Sequence, residues 1–469
     1  ENNGYGLSTP SKEQFKCKKL SDKAIGYGIK GLTIDGNDVL EVYKTITNIA
    51  KELRNGGGPV IVEALTFRMR GHEEASGTDY IPKSLFDKWS KKDPILSFKK
   101  YLKTKKILNE KEQEKINKKI SEMIDPSFEY AFNSNDPESD ESNELNDVFK
   151  VYEFKKIDSS NSKVEKRYVD AISETLNTIM QKDKKTIIMG QDISEYGGVF
   201  KITKDFFKNF GADRVRNTPI IESGILGASI GLALEGYKPI VEMQFADFVS
   251  CGFNQITNNI AKTYYRWNES LNITIRMPYG GGMAAGPFHS QSPESWFFHT
   301  PGLKIVAPST PQDAKGLLNA SINDPNPVLY FEHKYMYRSV KGMVSENDFN
   351  IEIGKANIKK SGSDLSVITY GMGVHWALDV AKKLETEGIN IEVLDLRSLL
   401  PWDKELVEKS LTKTNRALIL HEANLTGGIG AEISAYIAEH CFKFLDAPVI
   451  RVASIDTPIP FASKIEFPS

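Results

Sequence analysis

Short apolar runs that predict β-strands alternate with helical segments in three blocks of this 469-residue chain. In the first block, residues 31–35 and 60–66 are β-branched or apolar runs bounded by glycine and proline. An amphipathic segment over residues 38–54 lies between them, with Asn37 or Asp38 as its predicted cap. Strand–helix–strand alternation indicates parallel sheets that are covered by helices and joined by right-handed crossovers. The sequence therefore predicts an α/β fold with three such layers.

The same alternation continues through the rest of the chain. Helices are predicted over residues 94–123, 168–180, 375–387 and 430–441, with a glycine- and alanine-rich buried helix after Glu222. Strands are predicted at residues 186–190, 239–243, 273–276, 328–331, 365–370, 391–395 and 417–421.

A polar segment divides the first block from the other two. Residues 133–146 consist mostly of Ser, Asn, Asp and Glu and have almost nothing to bury, which predicts a solvated linker. We therefore predict domains over residues 1–130, 166–345 and 346–469, with a polar linker over residues 131–165.

Composition excludes several function classes. The 60 basic and 62 acidic residues nearly cancel, which removes the electrostatic argument for binding nucleic acid or a membrane surface. The longest apolar stretch, residues 224–234, is too short to span a bilayer. The three cysteines lie far apart and, like the histidines, form no persuasive zinc-binding pattern. Such sparse cysteine usage fits a reducing compartment, and we expect a cytoplasmic protein.

Glu222 is the first candidate for chemistry, because apolar residues flank it on both sides. Desolvation would disfavour the charged form of such a carboxyl group, which could then hold or donate a proton near neutral pH. The alternative interpretation is that Glu222 caps the following helix and meets solvent.

His289 follows a glycine-rich run, residues 279–288, and precedes a polar cluster. Glycines there permit unusual backbone dihedral angles and a close approach to a ligand. The run lacks the Lys-Ser/Thr ending of a nucleotide-binding loop. A cleft residue is one interpretation of His289, and a purely structural histidine is the other.

A basic loop with Arg68, Arg70 and His72 directly follows the strand predicted at residues 60–66. It would lie at the edge where parallel sheets bind ligands, and forked guanidinium donors suit a diphosphate. The alternative is a solvated loop paired with the acidic residues that follow it.

The order of motifs along the chain resembles the thiamine-diphosphate-dependent E1 component of 2-oxoacid dehydrogenase complexes, with its alpha and beta polypeptides fused. The alpha-like motifs are residues 2–10, 34–39 and 66–72, and the beta-like motifs are residues 190–192, 197–200, 218–222, 244–248, 289–294, 301–308, 395–403, 426–428 and 456–458. The resemblance implies a thiamine-diphosphate-binding α/β fold. It would comprise a partial pyrophosphate-type domain, a pyrimidine-type domain and a transketolase C-terminal-like domain.

The resemblance also implies roles for residues of the first block. Asn3 and the carbonyl of Tyr5 would bind the Mg²⁺ that holds the diphosphate. Arg68 and His72 would contact the phosphates, with His72 close enough to the reacting centre to assist. The family motif opens with Gly-Asp-Gly, which does not occur before Asn3. We therefore expect an N-terminally truncated chain that binds the cofactor weakly.

In the second block the implied roles concern the pyrimidine end of the cofactor and the acyl transfer. Glu222 would hydrogen-bond the pyrimidine ring nitrogen, Phe248 would stack on the ring, and Gln244 would also contact the cofactor. His289 would protonate a dithiolane sulfur as the acyl group passes to lipoamide. Asp324 and Asn326 occupy the place of a K⁺-binding loop.

The implied reaction is oxidative decarboxylation of a 2-oxo acid with transfer of the acyl group to a lipoyl-bearing acyltransferase. Residues 289–294 resemble the branched-chain enzymes, which favours 3-methyl-2-oxobutanoate dehydrogenase activity over pyruvate dehydrogenase activity or acetoin cleavage. A different class of function is a non-catalytic, dimerising fragment that binds the acyltransferase. In either case the fused chain is expected to form a homodimer.

Overall fold

The computed structural model describes residues 1–138 and 140–466, which divide into two compact units. Unit 1 is Glu1–Pro137 and unit 2 begins at Glu138. None of the helices in the described ranges is both long enough and apolar enough to cross a bilayer.

Unit 1 contains a parallel pair of strands with a helical crossover. Its strands are β1 (Tyr5–Gly6), β2 (Thr9–Pro10), β3 (Lys30–Asp35) and β4 (Val60–Leu65), and its helices are α1 (Ser11–Gln14), α2 (Lys23–Gly26), α3 (Val39–Arg54), α4 (Lys83–Ser90), α5 (Pro94–Thr104) and α6 (Glu110–Asn133). Strands β3 and β4 pair in parallel, while β1 and β2 form a short antiparallel hairpin. The predicted cap of α3 is confirmed, because the Asp38 side chain accepts hydrogen bonds from the backbone N–H groups of Leu40 and Glu41.

Unit 2 contains two large sheets and many short helices. Its strands are β5 (Lys163–Arg167), β6 (Thr186–Gly190), β7 (Val215–Asn217), β8 (Lys238–Glu242), β9 (Thr274–Tyr279), β10 (Lys304–Val306), β11 (Val328–His333), β12 (Lys341–Ser345), β13 (Asn357–Lys360), β14 (Leu365–Thr369), β15 (Ile391–Asp395), β16 (Ser398–Leu400), β17 (Ala417–Asn424) and β18 (Ile450–Ser454). Its helices are α7 (Glu141–Asn146), α8 (Tyr168–Lys182), α9 (Phe206–Phe210), α10 (Glu222–Leu234), α11 (Thr263–Trp267), α12 (Ser295–Phe298), α13 (Pro311–Asn323), α14 (Met336–Ser339), α15 (Met372–Glu385), α16 (Lys404–Thr414), α17 (Ile429–His440) and α18 (Ser463–Glu466).

The first large sheet has seven strands in the order β16-β10-β11-β9-β8-β6-β7. All neighbours in it are parallel except β16, which pairs antiparallel with β10. Successive residues of β11 enter different buried clusters, Val328 and Tyr330 one and Leu329 and Phe331 the other. The sheet is therefore covered on both faces, as a parallel sheet requires.

The second large sheet has the order β13-β15-β14-β17-β18, parallel except for β13. Residues Ile368, Leu394 and Ile419 of this sheet share a buried cluster with residues of the seven-stranded sheet. Strand β16 lies between β15 and β17 in the sequence but forms the edge of the seven-stranded sheet. The two sheets of unit 2 are thus joined by a common core and by one exchanged strand.

One prediction about the connecting regions is wrong. The helix predicted over residues 94–123 is two helices, because the chain breaks at Lys106, where φ is +57°, and a new capping box begins at Asn109. The described residues of the predicted solvated linker, 133–138 and 140–146, are exposed, and residues 131–165 also contain ordered structure. Helix α7 forms within them, and the backbone N–H of Lys150 donates to Asn326 Oδ1 at 2.8 Å.

Candidate active site

Several polar residues of unit 2 lie where parallel strands of the seven-stranded sheet end. Gln191 and Asp192 directly follow β6, Gln244 follows β8 by one residue, and Lys334 follows β11. Because these strands are parallel, all these residues lie at the carboxyl edge of the sheet, where α/β proteins bind ligands.

Glu222 is the first residue of α10 and is buried, with 8% of its surface exposed. Its Oε1 accepts a hydrogen bond of 3.0 Å from Gln191 Nε2. Its side chain makes no capping contact, since α10 has Ile221 at its N-cap without a side-chain hydrogen bond. The interpretation of Glu222 as a solvent-exposed helix cap is therefore wrong, and a buried carboxyl group faces the sheet edge.

His289 lies against two aromatic rings. Its ring centroid is 4.9 Å from that of Phe245 and 5.5 Å from that of Phe248, edge-to-face in both cases. Phe248 belongs to a short helical turn, residues 246–252, in which Gly252 packs against the start of α10. The sequence predicted Phe248 and His289 separately, and the structure brings them together beside the helix that carries Glu222.

The loop that carries His289 is held at several points. The Gln291 N–H donates to Asp247 Oδ1 at 3.0 Å, and the Gln291 carbonyl accepts from the Gly280 N–H at 3.1 Å. Three glycines before the loop have positive φ, as the sequence predicted, with values of +86°, +83° and +74° at Gly280, Gly282 and Gly286. These contacts fix the backbone on both sides of the histidine.

Glu294 anchors the far end of the same loop to the second sheet. Its Oε1 accepts a hydrogen bond of 2.5 Å from the hydroxyl of Tyr370, and both side chains are buried. Burial raises the pKa of Glu294 to about 7, although the Tyr370 hydrogen bond favours the ionised form. A carboxyl group that changes charge near neutral pH therefore lies between the two sheets of unit 2.

Gln244 forms a hydrogen bond with Asp192. Its Nε2 donates to Asp192 Oδ2 at 2.8 Å across the ends of β8 and β6. Asp192 has a left-handed backbone, with φ of +58°, at the turn that follows β6. The amide of Gln244 is thereby oriented at the same sheet edge as Glu222.

In unit 1, Asn3 and Tyr5 line one hollow of about 510 Å³ at the end of β4. Asn3 Oδ1 accepts from the Tyr5 N–H at 3.1 Å, which closes a tight turn. These residues can offer two neutral oxygen ligands, and oxygen is what Mg²⁺ prefers. No cluster of three acidic, histidine or cysteine side chains suited to a metal occurs in the described part of the chain. The two residues therefore fit as two ligands of an Mg²⁺ ion but do not complete the octahedral set that the ion prefers.

Arg68 links the basic loop of unit 1 to its N-terminal hairpin. One guanidinium nitrogen donates to the Leu7 carbonyl at 2.7 Å and to the Tyr80 hydroxyl at 2.8 Å. His72, four residues further along, is exposed. The hydrogen bonds of Arg68 go to neutral oxygens, so this side chain is not paired with the acidic residues that follow it.

Asp324 and Asn326 do not present a vacant cation site. Asp324 Oδ2 accepts from the Lys304 ammonium at 2.5 Å, and Asp324 Oδ1 accepts from the Asn326 side chain at 3.0 Å. Asn326 Oδ1 also accepts from the Lys150 N–H at 2.8 Å, and Asn326 Nδ2 donates to the Lys150 carbonyl at 3.0 Å. Because Lys304 already neutralises the carboxylate, these residues do not fit a K⁺ ion in this arrangement.

Sequence reasoning assigned no individual role to several residues of this region, namely Gln191, Asp192, Phe245, Asp247, Glu294, Lys334 and Tyr370. Gln191 and Asp192 carried a usable signal, since they directly follow a predicted strand. Phe245 and Asp247 lie in a recognised motif, but only the fold shows that one contacts His289 and the other the loop beyond it. Tyr370 gave no signal, because its contact is made 76 residues away.

Three protein families match successive parts of the chain. The dehydrogenase E1 component matches residues 1–140, the transketolase pyrimidine-binding domain residues 165–340, and the transketolase C-terminal domain residues 354–467.

Similar curated proteins are beta subunits. The chain is 47% identical over 302 residues to the 2-oxoisovalerate dehydrogenase subunit beta of Bacillus subtilis, which covers 64% of this chain and 92% of that protein. It is 47% identical over 308 residues to the mitochondrial 2-oxoisovalerate dehydrogenase subunit beta of Dictyostelium discoideum, covering 65% and 83%. It is 43% identical over 295 residues to the pyruvate dehydrogenase E1 component subunit beta of Staphylococcus aureus, covering 62% and 91%.

A solved structure agrees in fold. A split-gene transketolase, described as an inactive beta4 tetramer, superposes with a TM-score of 0.52 and covers 62% of this chain and 90% of its own. Its sequence is 24% identical, so the agreement concerns the fold alone.

Proposed function

The chain belongs to the E1 family of thiamine-diphosphate-dependent 2-oxoacid dehydrogenases, and we propose that its substrate is a branched-chain 2-oxo acid of the 2-oxoisovalerate type. In this proposal the acid is decarboxylated and its acyl group passes to the lipoyl group of a partner acyltransferase. The observation that carries the proposal is the buried Glu222 beside the element that holds Phe248 against His289. Two of the similar proteins named above are 2-oxoisovalerate dehydrogenase subunits, which supports the branched-chain substrate.

Bound thiamine diphosphate supplies the nucleophilic carbon and the electron sink that loss of carbon dioxide needs. We propose that Glu222 hydrogen-bonds the pyrimidine ring, because burial keeps this carboxyl group away from bulk water. Gln191, which donates to its Oε1, would fix the orientation of the carboxyl group. Phe248 would stack on the pyrimidine, and Gln244 would donate to the cofactor from the same sheet edge.

The diphosphate end is assigned to unit 1. We propose that Asn3 and Tyr5 share the coordination of Mg²⁺ and that Arg68 and His72 contact the phosphates. Arg68 has a guanidinium group held by Leu7 and Tyr80, which would orient its remaining donors toward an anion.

His289 is proposed to act in the second half of the reaction. A half-buried imidazole on two aromatic rings can deliver a proton to a dithiolane sulfur as the acyl group is transferred. The fixed backbone on both sides of it would limit its motion, which favours a defined proton-transfer geometry.

The test compares two substrates on the full chain. Decarboxylation is followed with an artificial electron acceptor, in the presence of thiamine diphosphate and Mg²⁺, for 2-oxoisovalerate and for pyruvate. We expect kcat/KM to be at least about tenfold higher for 2-oxoisovalerate, since added methyl groups in an apolar pocket give discrimination of this order. A preference for pyruvate would overturn the substrate, and no turnover of either acid would favour the non-catalytic, acyltransferase-binding function.

A further inference from the structure

A separate pocket of about 310 Å³ in unit 2 combines a buried cation with aromatic and apolar walls. Its lining includes Phe200, Met283, Lys334, Tyr335, Tyr337 and Arg338. We call it the Lys334 pocket. Its volume is near the lower end of the roughly 300–1,000 Å³ that small-molecule sites occupy. None of the residues assigned to the proposed chemistry lines it.

Lys334 is the unusual member of this lining. Its side chain is 2% exposed, and its Nζ has no hydrogen-bond partner among the described residues. Its Nζ lies over the face of Phe245, 5.6 Å from the ring centroid. A buried ammonium group whose three N–H donors are unused costs free energy, because water no longer solvates it. Such a group is expected where a ligand supplies the missing acceptor.

The carboxylates of Asp247, Glu422 and Glu466 interact electrostatically with Lys334, and each of them accepts hydrogen bonds from other groups. Asp247 accepts from the Gln291 N–H, Glu422 from His333 and the Gly281 N–H, and Glu466 from the N–H groups of the glycine-rich loop. Burial lowers the pKa of Lys334 to about 8, while these three carboxylates favour its protonated form. Lys334 is therefore charged at neutral pH, and its ammonium group donates no hydrogen bond to any of the described residues.

The surroundings restrict the class of ligand. Lys334 and the exposed residue Arg338 favour a negative charge, but the three carboxylates that interact with Lys334 oppose a dianion such as phosphate. Phe200, Met283 and Tyr335 offer apolar surface for the body of the ligand. A small monocarboxylate with a branched or aromatic body satisfies both requirements.

We propose that the Lys334 pocket is a second binding site that takes a small monocarboxylate with an apolar body, its carboxylate accepting hydrogen bonds from Lys334. The ring of Phe245 contacts both Lys334 and His289. The site does not depend on the proposed reaction, because binding requires neither cofactor nor turnover.

Isothermal titration of the full chain with isovalerate, which lacks the 2-oxo group and cannot be decarboxylated in the same way, tests the proposal. We expect saturable binding by the wild type and at least a tenfold loss of affinity in Lys334→Met, which removes the charge and keeps an apolar stem of similar length. Lys409→Met removes an exposed lysine elsewhere in unit 2 and should bind as the wild type does. Equal affinity of Lys334→Met and wild type, or no binding to the wild type, would overturn the site.

Two further arms keep the test decisive. Inorganic phosphate should not compete with isovalerate, and phosphate binding as tight as that of isovalerate would refute the monocarboxylate class. If Lys334→Met does not fold, Met283→Trp takes its place, because a larger side chain in the lining should lower the affinity at least fivefold. Unchanged affinity in Met283→Trp would then count against the pocket.

The pH dependence of this binding follows from the same groups. Only protonated Lys334 carries the positive charge that attracts the carboxylate of the ligand. The affinity for isovalerate should therefore fall by about tenfold between pH 7 and pH 9, on either side of the pKa of Lys334. An affinity that is constant over this range would contradict a role for Lys334.

Discussion

At the residue scale, His289 separates the two halves of the proposed reaction. We expect His289→Asn to lower the rate of lipoyl acylation at least 100-fold, because it removes the proposed proton donor, and to lower decarboxylation with an artificial acceptor less than tenfold. The two rates are measured with a lipoylated domain and with the dye on the same enzyme preparation. His299→Asn, a change at an exposed histidine ten residues away, should leave both rates unchanged. A parallel loss of both rates in His289→Asn would assign His289 to the first half-reaction or to binding.

Glu294 gives a residue-scale prediction about stability. Its pKa in the folded chain, about 7, exceeds the ordinary value of 4.5, so folding favours its protonated form. Its contribution to the free energy of unfolding is therefore greatest below pH 4.5 and is lost as the pH rises to about 7. The thermal midpoints of wild type and Glu294→Gln are measured by calorimetry from pH 5 to pH 8. The midpoint of the wild type should fall relative to that of the variant as the pH increases. A pH-independent difference would show that Glu294 does not change its charge in this window.

At the scale of elements, three neighbouring strands are joined by a buried charge cluster. Arg276 on β9 donates to Glu242 on β8 at 2.5 Å and to Glu332 on β11 at 2.6 and 2.8 Å. Burial alone would lower the pKa of Arg276, but the two carboxylates hold it above its ordinary value. This cluster lies on the central strands whose carboxyl ends carry the candidate site.

Removal of this guanidinium would leave two buried carboxylates without a positive charge beside them, although Glu332 would still accept a hydrogen bond from Tyr337. We expect Arg276→Met to destabilise unit 2 by about 3–5 kcal/mol, measured as the shift of the urea unfolding transition. Arg167→Met breaks the exposed pair with Asp170 and should cost less than about 1 kcal/mol. Similar shifts in the two variants would mean that the buried cluster contributes no more than a surface ion pair.

Local sequence signals predicted elements well where the signal and the physical cause lie in the same few residues. The Asp38 side chain caps α3 as its position before an amphipathic segment predicted. The same reasoning did not separate α5 from α6, although Asn109 and Glu112 form a capping box between them. Strand β16 could not have been predicted, because its pairing with β10 depends on contacts almost 100 residues apart. Residue roles such as those of Lys334 and Glu294 likewise depend on burial by distant segments.

At the scale of the whole molecule, an E1-type segment and a beta-type region occupy one chain. In the family that the sequence resembles, the site forms where domains of different subunits meet, and we therefore predict a homodimer. Light scattering on the full chain should give twice the mass of one chain in the fractions that carry activity. Activity that elutes with the mass of a single chain would contradict this prediction.

We propose that the buried carboxyl group of Glu222 enables decarboxylation. The direct test is the release of labelled carbon dioxide from 1-¹³C-2-oxoisovalerate by the full chain with thiamine diphosphate and Mg²⁺. Glu222→Gln should lower this rate by about 100-fold or more, because the amide cannot hold the proton that the carboxyl group exchanges. Glu235→Gln, an exposed change at the other end of α10, should stay within about twofold of the wild type. Comparable rates in Glu222→Gln and wild type, or a wild type that releases no carbon dioxide, would contradict the account.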